Sequence, residues 1–173
     1  MEKATPGEMF SARSWLFAPG DSEKKMEKAR AGGADIVIFD LEDAVAAEEK
    51  PRARTLIADF LKAHADGRER LWVRVNPLDG PHTLADLAVI MPAHPGGIML
   101  PKARGRADAE LLDHYLSALE VANGIEQGST RVIVLVTETA EAMFTTGSYA
   151  GAPRVVALSW GAEDLADSIG ASS

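Results

Sequence analysis

Short apolar runs alternate with longer stretches of helical periodicity along most of the chain. Six runs have mostly apolar residues at consecutive positions, which is typical of strands covered on both faces. They span residues 15–18, 35–40, 71–75, 97–100, 132–137 and 155–159. The alternation of such strands with helical segments predicts repeated βα units and a parallel sheet.

The segments between the predicted strands carry helix signals. A first helix is predicted from Asp21 or Ser22 to about residue 31, before a pair of glycines. Pro51 suits the first turn of a second helix, which extends to about residue 65. A third helix is predicted with Asp108 as its N-cap, with a single apolar stripe and with its end at Asn123-Gly124. The stripe consists of Leu111, Leu112, Tyr115, Leu116 and Leu119.

The spacing of the strands leaves two architectures open. The first and sixth strands begin at residues 15 and 155, which is 140 residues over five intervals, or 28 per βα unit. Eight such units would need about 240 residues, close to the roughly 250 of a closed (β/α)8 TIM barrel. Six parallel strands could instead form an open, doubly wound sheet. No linker or low-complexity segment interrupts residues 1–173, so we expect a single domain.

Composition and charge narrow the function. The chain has 26 acidic and 18 basic residues, a formal net charge of −8, and therefore lacks the cationic surplus that nucleic-acid binding requires. It has no cysteine, which excludes disulfides, thiolate nucleophiles and sulfur-bound metals. No apolar run approaches the ~20 residues of a membrane-spanning helix, and residues 1–12 do not resemble a signal peptide. We expect a cytoplasmic protein that binds neither nucleic acid nor membrane.

Charged residues follow five of the predicted strands at their carboxyl ends, where parallel α/β folds place their functional loops. Arg74 is the most informative, because a guanidinium within an apolar strand must face a polar cavity or a carboxylate. Each of the others could equally be a solvated loop residue or a helix cap. They are Asp40, Glu42, Asp43, Lys102, Glu138, Glu163 and Asp164.

The residue types also restrict the metal that a site could bind. Carboxylates without cysteine, and without a paired histidine spacing, favour a hard cation such as Mg²⁺ over zinc. His64 and His114 are predicted on helix surfaces, whereas His82 and His94 lie in loops and have no assigned role. The glycine-rich motifs that bind phosphate are absent from the sequence.

Several motifs together resemble the citrate lyase beta-subunit family, which includes the malyl-CoA lyases and related acyl-CoA lyases. The similarity covers about residues 13–170, and the most specific segments are DLEDAV at 40–45, VRVN at 73–76 and GAEDLA at 161–166. The resemblance implies a (β/α)8 TIM barrel. This chain would then contain its N-terminal six βα units, truncated at the C-terminus.

The resemblance also implies roles for individual residues. Glu138 and Asp164 would be the metal-binding carboxylates, with Glu138 also catalytic, and Arg74 would bind substrate and take part in catalysis. Glu42 and Asp43 would line the surroundings of the metal. Two further residues, Arg13 and Lys28, would contact the phosphates of coenzyme A.

The implied function is that of a Mg²⁺-dependent carbon–carbon lyase. It would cleave or form a 3-hydroxyacyl-CoA such as citryl-CoA or malyl-CoA, with a keto or carboxylic acid and acetyl-CoA as the other partners. Mg²⁺ would act as a Lewis acid, and Arg74 would stabilise the enolate. A homo-oligomer is expected as well, because strand six would otherwise expose an open edge.

Three other functions are compatible with the sequence. A metal-dependent 2-keto-acid aldolase of the same superfamily would use the same metal pair, but its turnover would not depend on coenzyme A. A phosphoacceptor signalling domain would use Asp40 and Lys102, and would leave Arg74 without a role. A non-catalytic subunit could keep the fold as an interaction surface.

Overall fold

The structure is a computed structural model that describes residues 12–171. Six parallel strands form one sheet, in which each strand pairs with its neighbours in sequence. The strands are β1 (Trp15–Pro19), β2 (Ile36–Asp40), β3 (Leu71–Arg74), β4 (Gly97–Leu100), β5 (Arg131–Leu135) and β6 (Val155–Ser159). All six strands predicted from the apolar runs are therefore confirmed.

Helices connect most of the strands. They are α1 (Glu23–Ala31), α2 (Lys50–Ala63), α3 (Thr83–Ile90), α4 (Arg106–Ala122) and, after β6, α5 (Ala162–Ile169). β5 and β6 are joined instead by two short 3₁₀ turns, Ala142–Phe144 and Thr146–Tyr149. The predicted first, second and third helices correspond to α1, α2 and α4. No helix in residues 12–171 is long and apolar enough to cross a membrane.

The third predicted helix begins three residues earlier than expected. Gly105, not Asp108, is the N-cap of α4. The carboxylate of Asp108 instead accepts a hydrogen bond of 2.7 Å from the backbone N–H of Arg104. Asp108 therefore stabilises the first turn from within the helix.

The strand order decides between the two architectures. A doubly wound sheet reverses its strand order and carries helices on both faces, whereas these strands run consecutively from β1 to β6. One face packs against the helices, through residues such as Phe39 and Val134 of the sheet and Ile57 and Leu112 of the helices. The buried cluster on the other face consists of strand residues: Ile36, Ile38, Trp72, Met99, Ile133 and Leu135. This is the singly wound arrangement of a TIM barrel, with six parallel strands present, five of which are followed by an α-helix.

The face of the sheet opposite the helices, here called the concave face, has an apolar cluster in its middle and charged groups at the carboxyl ends of the strands. Trp72 packs so tightly over Gly97, its register partner, that a β-carbon there would lie 2.5 Å from the indole ring. Trp15 meets Trp72 edge-on, with ring centroids 5.6 Å apart. Two residues further along the strands, the register pairs Asp40 with Arg74. Asp40 and Arg74 therefore enter the concave face at the carboxyl ends of their strands, whereas at the amino end the guanidinium of Arg131 lies 5.8 Å from the ring of Trp72.

A β-bulge adjusts the last strand. Val132 pairs with Val155 but Ile133 pairs with Ala157, so β6 contains one extra residue at position 156. The bulge places Ser159 opposite Leu135. The chain that follows β6 is thereby brought beside the chain that follows β5.

Candidate active site

Arg74 and Asp40 form the base of the site. Each is the last residue of its strand, and the guanidinium donates from Nε and Nη2 to the two carboxylate oxygens of Asp40, both at 2.7 Å. Asp40 is 2% exposed and also accepts hydrogen bonds from the backbone N–H groups of Glu42 and Ala44. Both oxygens of Asp40 are thus engaged, which speaks against Asp40 as a phosphoacceptor.

Arg74 keeps its positive charge at every relevant pH. Burial alone would lower its pKa, but the hydrogen bonds to Asp40 and the charges of Asp40, Glu42 and Asp43 raise the pKa above its ordinary value. The guanidinium lies 5.2 Å from the ring of Phe17, a cation–π contact. Arg74 therefore both meets a carboxylate and borders a cavity, the two surroundings considered for a guanidinium within an apolar strand.

Glu42 links Arg74 to Lys102. Its Oε2 lies 2.7 Å from Nη1 of Arg74, and its Oε1 accepts a hydrogen bond of 2.7 Å from the Lys102 ammonium. Burial raises the pKa of Glu42, against the opposing effects of Lys102 and Arg74. Asp43, half exposed, lies 3.4 Å from the same ammonium.

The loop that carries Glu42 is fixed from behind. The buried ammonium of Lys50 donates to the backbone carbonyls of residues 41 and 42, at 2.6 and 2.7 Å. Asn76 donates to the carbonyl of residue 41 and to the carboxylate of Asp86. Asp86 is itself held by Arg54 at 2.6 Å. Buried, fully bonded polar groups of this kind restrict a loop to one conformation.

Glu138 lies beyond β5 and is 3% exposed. Its Oε2 accepts a hydrogen bond of 2.5 Å from the backbone N–H of Lys102. Burial raises the pKa of Glu138 to about 7, against that hydrogen bond and with the help of the charges of Glu42 and Asp164. The hydroxyl of Thr139 accepts a hydrogen bond from the backbone N–H of Ala142, where a 3₁₀ turn begins. Since no α-helix begins here, an interaction with a helix dipole does not explain why a glutamate stands at position 138.

Asp164 reaches the same region from the first turn of α5. Its carboxylate lies 3.5 Å from the Lys102 ammonium and is about one-third exposed. Arg74, Glu138 and Asp164 line one cavity of about 330 Å³. The remaining lining residues are Phe17, Leu135, Ser159, Trp160, Gly161, Ala162 and Glu163.

Lys102 is the member of this cluster that the sequence did not assign to the lyase site. The available signal was its place after the fourth predicted strand, as Pro101-Lys102, which made it a candidate without an assigned role in the lyase site. Its ammonium contacts Glu42, Asp43 and Asp164. Its pKa is raised, because those three charges together outweigh the effect of burial.

Two predicted residues lie away from the cluster. Arg13 precedes β1 and so lies at the amino-terminal edge of the sheet, the edge opposite Arg74. Its guanidinium is 90% exposed and 3.9 Å from Asp35. Lys28 is exposed on α1. Neither lines the cavity, and the predicted contacts to coenzyme A gain no support from these positions.

A larger cavity, of about 530 Å³, lies at the amino ends of β4 and β5 and is bordered by Arg68, His94 and Arg131. In barrels this edge serves stability, whereas chemistry occurs at the carboxyl edge. The smaller cavity also contains the carboxylates and the arginine. We therefore take the smaller cavity as the candidate active site.

The donor set suits a hard divalent cation. Within residues 12–171, no three His, Asp or Glu side chains are placed to hold one metal ion. Glu138 and Asp164 face the same cavity and are close enough for the charge of Asp164 to raise the pKa of Glu138. Mg²⁺ commonly takes one or two carboxylates and completes its coordination with water and substrate. These two residues could therefore hold Mg²⁺.

The fold and this site define an α/β-barrel protein with carboxylates grouped around a fixed arginine at the carboxyl edge of its sheet. The profile of the HpcH/HpaI aldolase/citrate lyase family matches residues 13–173. The chain belongs to this family, as the sequence motifs predicted.

Individual relatives agree with this assignment. The chain is 35% identical over 158 residues to a (3S)-malyl-CoA thioesterase of Cereibacter sphaeroides, covering 91% of this chain and 51% of the relative. It is 33% identical over 152 residues to the citrate lyase subunit beta of Haemophilus influenzae, covering 88% and 52%. The chain thus spans about half the length of these curated relatives.

A solved structure is similar over nearly all of the chain. It is protein CitE from Mycobacterium tuberculosis in complex with magnesium, acetoacetate and coenzyme A. The TM-score is 0.76 at 34% identity, and the match covers 94% of this chain and 54% of that chain. The similarity supports the barrel fold derived from the strand order.

Proposed function

We propose that the chain carries the metal- and acid-binding site of a carbon–carbon lyase that cleaves or forms a 3-hydroxyacyl-CoA of the citryl-CoA or malyl-CoA type. The observation that carries the proposal is the meeting of Arg74, Glu138 and Asp164 in one cavity. The named activities of the relatives and the ligands of the M. tuberculosis protein support it.

Glu138 and Asp164 would hold Mg²⁺, which supplies a Lewis acid that orients and polarises the oxygens of the bound acid. Burial, helped by the negative charges of Glu42 and Asp164, raises the pKa of Glu138, and a bound Mg²⁺ would compensate those charges. Functional sites commonly contain such perturbed carboxyl groups. Asp164, more exposed, completes the pair from α5.

Arg74 is suited to bind and stabilise an oxyanion. A guanidinium has five N–H donors. The hydrogen bonds to Asp40 use two of them, and Nη1 lies 2.7 Å from Glu42 without forming a well-aligned hydrogen bond. Donors therefore remain for an oxygen in the cavity. Because Asp40 fixes the guanidinium, little reorganisation is needed when negative charge develops on the enolate.

Calorimetric titration of Mg²⁺ into the protein tests the metal site. We expect Glu138→Gln and Asp164→Asn to abolish measurable binding. Asp167→Asn is the matched control, because Asp167 is exposed on the same helix, α5, and does not line the cavity. Unchanged affinity in Glu138→Gln, or no binding by the unmodified protein, would reject the proposal.

Coenzyme A dependence distinguishes the lyase from an aldolase that acts on free 2-keto acids. We expect release of a keto acid from malyl-CoA or citryl-CoA and none from the free hydroxy acid. Self-association remains a prediction of the sequence, and light scattering after gel filtration tests it.

A further inference from the structure

Lys102 joins parts of the site that come from different strands. It lies two residues after the end of β4 and has a φ of +52°, in the left-handed region that non-glycine residues seldom adopt. Its backbone N–H bonds Glu138, while its ammonium bonds Glu42. One residue thus contacts carboxylates that follow β5 and β2.

Glu42 depends on Lys102 for a well-aligned hydrogen bond. Glu42 is 3% exposed. Its Oε2, although 2.7 Å from Arg74, has no hydrogen-bond partner of suitable geometry among the described residues. The bond that fixes the carboxylate is therefore the one from the Lys102 ammonium to Oε1. Loss of that donor would leave a buried carboxylate poorly bonded, which is costly.

Glu42 in turn contacts the guanidinium of Arg74. Asp40 holds Nε and Nη2 of the guanidinium, and Glu42 is the carboxylate nearest to Nη1. Lys102 itself is not among the residues that line the cavity, whereas Arg74 is. A contribution of the Lys102 ammonium to acid binding would thus be indirect.

We propose that Lys102 is a positioning residue whose ammonium fixes Glu42, and that Glu42 in turn fixes the face of Arg74 that binds the acid. The inference rests on the proposed function, since it assumes that Arg74 binds the acid beside Mg²⁺. It assigns the Lys102 ammonium a part in acid binding through Glu42, in addition to its 3.5 Å contact with the proposed metal ligand Asp164.

The test measures two affinities in Lys102→Met and Lys102→Arg. Both variants keep the backbone N–H that bonds Glu138. The probes are Mg²⁺ alone, and then oxalate with Mg²⁺ present, because oxalate offers the adjacent oxygens of a 2-oxo acid and does not decarboxylate. Circular dichroism melting curves verify that the variants are folded.

For Lys102→Met we expect oxalate affinity to fall by about 10–100-fold, the usual effect of removing a partner that orients a site residue. Mg²⁺ affinity should change by less than about threefold, because Glu138 and Asp164 remain and the lost charge is positive. Lys102→Arg keeps the positive charge and should retain most of the oxalate affinity of the unmodified protein.

A double-mutant cycle tests the path through Glu42. In a Glu42→Gln background, Lys102→Met should have no further effect on oxalate binding. Additive losses, an unchanged oxalate affinity in Lys102→Met, or a loss of Mg²⁺ affinity greater than about tenfold would each overturn the inference. Failure of the unmodified protein to bind Mg²⁺ would instead reject the proposed function, and the inference with it.

Discussion

Gly161 lies directly against Glu138. A β-carbon at position 161 would be 2.6 Å from Cγ and 2.8 Å from Oε1 of Glu138. The φ of Gly161 is −120°, which any residue adopts, so glycine is required here for space and not for backbone conformation. The carboxylate that follows β5 is thus held between the backbone at Lys102 and the backbone at Gly161.

Gly161→Ala should displace Glu138 and weaken Mg²⁺ binding by about tenfold or more, as for other changes that disturb the orientation of a metal ligand. Calorimetry on the variant provides the measurement. Gly147→Ala is the control, because a β-carbon there has no atom within 4 Å. Equal Mg²⁺ affinity in the two variants would mean that the position of Glu138 does not matter for the metal.

Glu138→Gln should stabilise the protein at alkaline pH when Mg²⁺ is removed by a chelator. The pKa of Glu138 is raised to about 7 in the folded protein, and a raised carboxyl pKa means that the folded state favours the protonated form. The free energy of unfolding therefore falls as the pH rises from about 4.5 to about 7. A glutamine at position 138 does not ionise, so Glu138→Gln lacks this contribution to the pH dependence of the free energy of unfolding.

Urea denaturation at pH 5 and pH 8 compares the two proteins. The gain in stability of Glu138→Gln should be larger at pH 8. Glu141→Gln, on the nearby chain after β5, is the control because Glu141 is exposed. This substitution should leave the free energy of unfolding unchanged at both pH values. A gain that did not depend on pH would contradict the raised pKa.

Arg74→Lys should greatly weaken acid binding although it keeps the charge. An ammonium cannot reproduce the paired hydrogen bonds of the guanidinium to Asp40 and also reach the cavity. A lost hydrogen bond to a charged group is worth about 1.5–3 kcal/mol, so oxalate affinity should fall at least about tenfold. Arg52→Lys, on an exposed ion pair, controls for general effects. Oxalate binding that survives Arg74→Lys would remove Arg74 from the acid site.

The sequence predicted much of this arrangement because the residues concerned lie in or directly after apolar runs. Arg74 stood out within a strand, and the family motifs pointed to Glu138 and Asp164. The sheet order could not be predicted from the spacing, since barrel and doubly wound sheets have similar βα periods and differ in long-range pairing. α3 was missed because it is short and mostly apolar, and its buried Asp86 is paired with Arg54.

Lys102 and Arg13 show why motifs alone were insufficient at the site. The contacts of Lys102 depend on its left-handed backbone conformation, which the order Leu-Pro-Lys does not reveal. Arg13 lies close in sequence to β1 but at its amino end, so the chain direction carries it to the edge opposite the cavity. Nearness to a strand in sequence therefore indicated the edge of the sheet at which Glu138 lies, but not the edge at which Arg13 lies.

A buried ion-pair network outside the site should determine the acid stability of the fold. Arg154, 3% exposed at its side chain, bonds both carboxylate oxygens of the fully buried Glu120. Although burial would raise the pKa of Glu120, the hydrogen bonds from Arg154, Thr130 and Gly128 lower it to about 2. A lowered folded-state pKa adds stability above about pH 4.5, which is lost as the pH falls towards 2.

Arg154→Met should cost about 3–5 kcal/mol at neutral pH, because it leaves a buried carboxylate without its cation. Glu120→Gln should remove most of the loss of stability between pH 5 and pH 3. Glu126→Gln, exposed in the loop after α4, should behave like the unmodified protein. Urea denaturation across that pH range provides the measurement. A steep acid transition that persists in Glu120→Gln would assign the acid sensitivity to other carboxylates.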